Sequence, residues 1–206
     1  WTSPTWLSDK VTDSAASITA LTVGVKTHNK RLCVDPAGRA VATLAERLER
    51  SGRATGVVST VMFSHATPAG FAVSHPVRSE YEQISARMLG SSALDVIMGP
   101  GHPLFDDDGR RSDWPDHRYV GGKQLWQTIQ LGTPLSDADG DGRDDPWTVI
   151  EDREAFQRLI GAGQPPRRVL GLPPVRETLQ QNRGGDGEAA PFTVPFNPNV
   201  PTLSEM

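Results

Sequence analysis

A chain of 206 residues with a formal charge of −4, 36% hydrophobic residues, 20 Gly and 17 Pro has the makeup of a loop-rich globular protein of one large or two small domains. The mild acidity argues against a general nucleic-acid binder, which needs a basic face, and no apolar run approaches the roughly 18 residues of a membrane-spanning helix. Cys33 is the only cysteine; an internal disulfide is excluded, and a thiol with no neighbouring base reads as a packed core residue.

Residues 1–10 read as irregular, and an opening on Trp1 without a leader pattern is expected of a processed product or a piece of a longer chain. Residues 14–25 begin a helix with small residues on its inner face. "AVATLAERLERSG" (40–52) places Val41, Leu44, Ala45 and Leu48 at helical spacing and stops at Gly52. "ATGVVSTVMF" (54–63) is β-branched and apolar, as a buried strand is. "SEYEQISARML" (79–89) predicts a second amphipathic helix and "ALDVIMG" (93–99) a second buried strand. Residues 102–122 are polar and irregular. Helices are predicted over 123–131 and 152–161, and a strand over 167–172. From 180 to 206 the chain is rich in Gly, Asn and Pro and reads as an extended linker. Alternating helix and apolar strand predicts an α/β fold: a three-layer sandwich around a mostly parallel sheet.

Two stretches carry chemistry. In "VTDSAAS" (11–17), Asp13 or Ser14 at a helix start is a capping residue by default. The alternative is that Ser14 is a nucleophile at a helix N-terminus, where free amides attract an anion and the small Ala15, Ala16 and Ser17 let a substrate approach. In "SHATPAGFAVSHPVR" (64–78), His65 and Thr67 follow the predicted strand, at the end where α/β sheets build sites. Arg78 follows eleven residues after Thr67, and a guanidinium binds phosphate oxygens as a fork. Taken singly, His65 reads as a packing histidine and Arg78 as a solvated charge.

In order and spacing, "VTDSAASITA", "GVKT", "GVVSTVMFSHATPAGFAVSHPVR" and "DVIMGPG" resemble the alkaline phosphatases, strongly from residue 10 to 101 and weakly beyond. The resemblance implies that Ser14 attacks phosphorus and forms a phosphoserine. It implies that Asp13 orients Arg78, which grips two phosphate oxygens, and that the substrates are small phosphate monoesters. Two zinc ions and a magnesium ion are implied as cofactors. Ser14 would meet zinc, Thr67 would ligate the third metal, and His65 would lie beside it, with its preference altered by the imidazole. The family's homodimer and its periplasmic or secreted location come with the resemblance. A phosphodiesterase or sulfatase relative fits less well, because Arg78 and the D-S-A motif belong to the monoesterases.

The family's remaining metal ligands are not found. Asp9 is the only acid before Asp13 and sits too near it to be the strand aspartate shared by two metals. "DWPDH" (113–117) mimics a zinc motif but lacks a strand before it, and reads as a surface loop. The closing "PTLSEM" resembles the segment before the magnesium-site strand. The chain is therefore expected to be an internal piece of a longer enzyme, inactive alone. Its parts are an α/β core segment over 1–101, an insertion with peripheral helices over 102–179, and the linker. "DADGDGRDD" sets Asp137, Asp139, Asp141 and Asp145 in the first half of a calcium-loop pattern without a matching twelfth-position acid. It reads as a candidate calcium site or as a solvated acidic turn. The competing functional reading is a non-catalytic, calcium-stiffened extracellular module on a degenerate phosphatase fold.

Overall fold

The computed structural model describes residues 11–190 and 193–206; the opening read over 1–10, Asp9 included, lies outside the described residues. Four short strands, β1 (Gly56–Val58), β2 (Val96–Met98), β3 (Thr148–Ile150) and β4 (Val169–Gly171), form a parallel sheet in the order β1-β2-β4-β3. Among the described residues the helices are α1 (Ser14–Val23), α2 (Leu44–Glu49), α3 (Ala66–Ala72), α4 (Tyr81–Leu89), α5 (Lys123–Gln130) and α6 (Arg153–Ile160). Single 3-10 turns occupy Arg118–Val120 and Leu203–Glu205.

The register puts Val57, Ile97, Leu170 and Val149 level across the sheet. Side chains alternate along a strand, so this row shares one face. There it joins the main core with Ala66 and Ala69 of α3, Ile84 and Met88 of α4, and Trp126 of α5. The alternate residues Val96, Met98, Val169 and Ile150 pack on the other face with Phe156 and Leu159 of α6. Helices on both faces of a parallel sheet make the α/β three-layer arrangement that the alternation predicted.

Local chemistry shortens the predicted elements. The helix predicted over 40–52 begins only at Leu44, because Thr43 Oγ1 accepts from the Glu46 amide and Glu46 returns a carboxylate to the Thr43 amide. The strand predicted over 54–63 ends at Val58. The Ser59 hydroxyl accepts from the Val61 amide at 3.2 Å and starts a turn in its place. β3, which no prediction named, lies with β4 inside residues 102–179, so that segment supplies half of the sheet besides its loops and helices.

A buried arginine ties these parts together. Arg168 is 1% exposed and lies 3.9 Å over the Trp147 ring. Its guanidinium donates to the Ser91 and Leu94 carbonyls before β2 and to Ser136 Oγ before β3. Burial pushes its pKa down, and it faces carbonyl dipoles in place of a contacting carboxylate.

The predicted linker is anchored. Val200 is buried with Val175 and Leu179, and Glu205 accepts from the Arg153 guanidinium through both carboxylate oxygens. The prolines at 195, 198 and 201 remove backbone donors there without preventing single residues from docking.

Candidate active site

Asp13 caps α1: its Oδ1 accepts from the Ala16 amide at 2.9 Å, and its own backbone is extended (φ −77°). The default reading of "DS" as a helix start is therefore right in part. The second carboxylate oxygen serves partners outside the helix, the Lys30 amide and Arg78. Ala15 and Ala16, expected to open room for a substrate, are instead buried at 0% and 4% exposure. Their smallness serves helix packing: α1 lies on α3, and Ala15 shares a cluster with Ala66 and Ala69.

Gly70 in α3 marks the closest approach. A Cβ there would stand 2.4 Å from Ile18 Cγ2. The Gly70 carbonyl accepts from Thr22 Oγ1 at 2.8 Å and from Cys33 Sγ at 3.0 Å, which locks the two helices and the intervening loop. Burial pushes the Cys33 thiol above its ordinary pKa, in keeping with the core role read from sequence. This contact brings the start of α1 beside His65, the residue that precedes α3.

The loop after α1 supplies a second fixture. Asn29 Oδ1 accepts from the Asp13 amide and Asn29 Nδ2 donates to the Val11 carbonyl, both at 3.1 Å. The Lys30 amide donates to Asp13 Oδ2 at 2.9 Å, and the Lys30 carbonyl accepts from the Arg78 amide at 2.8 Å. Lys30 adopts φ +70°, a left-handed conformation costly for a side chain-bearing residue. One peptide neighbourhood thus holds both the aspartate and the arginine.

Arg78 closes the arrangement. Nη1 donates to Asp13 Oδ2 at 3.2 Å and to Ser14 Oγ at 2.5 Å, and Nη2 donates to His65 Nε2 at 2.9 Å. The hydroxyl and the guanidinium expected to share an anion are therefore in contact. Burial pushes the Asp13 carboxyl up, but the Ala16 and Lys30 amides and Arg78 outweigh it and hold it below the ordinary 3.8. Burial and the Arg78 charge push the His65 pKa below 6.5 and keep the ring neutral, the form that ligates metals.

A metal fits this corner only in part. His65 Nδ1 is buried without a hydrogen-bond partner; because Nε2 accepts from Arg78, the neutral ring carries its proton on Nδ1, and a metal would have to take Nε2 from Arg78. Thr67 stands exposed in the first turn of α3, two residues beyond His65. Asp13 has both oxygens engaged. Among the described residues no set of three acidic, His or Cys ligands gathers here. In the Asp-rich loop, Asp137, Asp139 and Asp145 place oxygens within 4.8 Å of one another, and Asp141 is not in that group. Arg167 contacts Asp139 and lies 3.7 Å from Asp145, so a cation of the chain already serves these carboxylates. The "DWPDH" segment is a loop whose Asp116 pairs with Arg118, as expected of a surface segment.

Asn29 and Lys30 were not singled out in the sequence. Lys30 acts through backbone atoms, which leave no mark on residue identity. Asn29 directly follows the quoted "GVKT" and one histidine, and its spacing to Asp13 has no periodic signature.

The alkaline phosphatase family profile matches residues 3–191. Alkaline phosphatase H of Pseudomonas aeruginosa is 40% identical over 221 residues, covering 97% of this chain and 44% of the relative. The crystal structure of a cold-active alkaline phosphatase from a psychrophilic Shewanella superposes with a TM-score of 0.61 at 30% identity, over 87% of this chain and 36% of that one. A TAB5 alkaline phosphatase variant, described with Mg bound in its M3 site, shares the fold at 24% identity, with a TM-score of 0.55 over 83% of this chain and 41% of that one. The chain spans less than half the length of the curated relatives it matches.

Proposed function

The chain belongs to the alkaline phosphatase family, and from that premise we propose that the intact protein hydrolyses phosphate monoesters by passing the phosphoryl group through Ser14. The observation that carries this reading is the meeting of Ser14 Oγ with Arg78 at the first turn of α1. Ser14 Oγ attacks phosphorus, the bond from phosphorus to the alcohol oxygen breaks, and the departing alcohol takes up a proton. Water then displaces Ser14 from the phosphoserine and releases inorganic phosphate. Arg78 transfers its Nη1 and Nη2 donors from Ser14 and His65 to the equatorial oxygens, and Asp13 keeps the fork aimed. The α1 N-terminus adds partial positive charge. A site that grips only the phosphoryl group accepts many alcohols.

Zinc and magnesium, when bound, supply the Lewis acidity that makes a hydroxyl and a water nucleophilic at neutral pH. Ser14, His65 and Thr67 would contact them; among the described residues no set of three acidic, His or Cys ligands gathers around them. A periplasmic or secreted location and a homodimer belong to the same reading. The rival reading, a calcium-stiffened module without catalysis, draws on the Asp137, Asp139 and Asp145 grouping alone. No helix among the described residues is long and apolar enough to cross a membrane.

Ser14→Ala in the intact protein is expected to abolish p-nitrophenyl phosphate turnover, and a chelator to abolish it in the parent. Normal turnover by Ser14→Ala rules the mechanism out.

A further inference from the structure

We propose that Asn29 is a positioning residue for the nucleophile, acting on the backbone that carries Ser14. The proposal rests on the phosphoryl-transfer reading above and deepens it. Asp13, the residue before α1, has an extended backbone, and where the chain runs extended the carbonyl of one residue and the amide two residues later face the same side. A carboxamide bridges such a pair, because it carries a donor and an acceptor in one plane. Asn29 does this, with Nδ2 on the Val11 carbonyl and Oδ1 on the Asp13 amide. Aspartate or leucine of similar size makes one of these bonds or neither.

The bridge sits where a small displacement matters. Asp13 follows it directly, and the cap, the Arg78 pairing and Ser14 all hang on Asp13. Asn29 itself is exposed, and so are both of its bonds. Exposed bonds of this kind contribute little to global stability, since water replaces them. Their effect is to narrow the range of the segment from Val11 to Asp13, which the α1–α3 contact does not reach. The next residue, Lys30, adds its amide to Asp13 and its carbonyl to Arg78, so Asn29 also fixes the loop that aligns the arginine.

The test uses the intact, metal-loaded protein with Asn29→Ala and Asn29→Gln, which keeps the amide on a longer arm. The measurements are kcat and KM for p-nitrophenyl phosphate, the inhibition constant of inorganic phosphate, amide exchange over residues 11–16, and Tm. Asn29→Ala is expected to exchange about tenfold faster over 11–16 and to lose about ten- to fiftyfold in kcat/KM, carried by kcat, with metal content unchanged and Tm moved by no more than about 3 °C. Asn29→Gln is expected to regain part of the lost kcat. Unaltered exchange and kcat in Asn29→Ala overturn the proposal. So does a large fall in Tm with full kcat per folded molecule, which marks a merely structural residue. Should Asn29→Ala not fold, Asn29→Asp, which keeps the acceptor for the Asp13 amide, is judged by the same criteria. Turnover by Ser14→Ala refutes the phosphatase mechanism instead, while the exchange measurement still judges the bridge.

Discussion

Gly70→Ala tests whether close helix packing positions Ser14, the proposed nucleophile. The new methyl group would meet Ile18 Cγ2 at 2.4 Å and Cγ1 at 3.1 Å. Carbon atoms settle about 3.5–4.0 Å apart, so α1 and α3 must separate by roughly 1 Å. Ile18 cannot swing aside cheaply, because a β-branched side chain on a helix has one favoured rotamer. Overpacking of this kind costs about 1–3 kcal/mol, and the better helix propensity of alanine returns about 1. The net loss is then at most about 2 kcal/mol, within reach of urea denaturation. The functional effect is larger, because Ser14 rides on α1 and His65 precedes α3. A shift of about 1 Å between reacting groups lowers kcat/KM by up to about a hundredfold. Adding Ile18→Ala removes both clashing atoms and should restore part of the rate, with a coupling energy of about 1–2 kcal/mol in the double-mutant cycle. A Gly70→Ala protein with parental stability and parental kcat/KM would show that the α1–α3 contact does not set the site.

Three further outcomes follow from the geometry. Lys30→Gly relieves the left-handed strain of about 1–2 kcal/mol against a backbone-entropy cost of about 0.5–1, so calorimetry should find a Tm raised by about 2–4 °C. Arg168→Ala strands several buried carbonyls and empties the space over Trp147; urea unfolding should show a loss of about 3 kcal/mol. Arg153, then Gln157 and Thr202, pull the Glu205 carboxyl down from 4.5 to about 2. A carboxylate depressed in the folded state stabilises above its unfolded pKa and loses that contribution as pH falls through the folded one. Glu205→Gln should therefore lower Tm above pH 4.5, with the difference from the parent closing as pH approaches about 2.

The fold was legible where the pattern was strong. "GVVSTVMF" and "ALDVIMG" announced strands, although only Val57 of β1 is buried and Val58 is exposed, and the helices at α4, α5 and α6 began and ended within two residues of their predicted bounds. β3 was missed because three residues flanked by "DDPW" and "ED" are too short to show a period. The capping box at Thr43 and the serine turn at Ser59 trimmed two elements, since a single side chain-to-backbone bond overrides a stretch of propensity. Motif order singled out Asp13, Ser14, His65 and Arg78, and Arg78 is hydrogen-bonded to the other three. The backbone of Lys30 left no trace in the letters.

The peptide neighbourhood of Lys30 bonds two partners whose positions lie 65 residues apart, at Asp13 and Arg78. Surface connectors ordinarily tolerate added or deleted residues, since only their ends are fixed. This one is pinned at its middle, so its length is as constrained as that of a helix in the core. A one-residue insertion between Thr27 and Leu32 would leave the fold standing and set the two halves of the site out of step, as a gear with an extra tooth does.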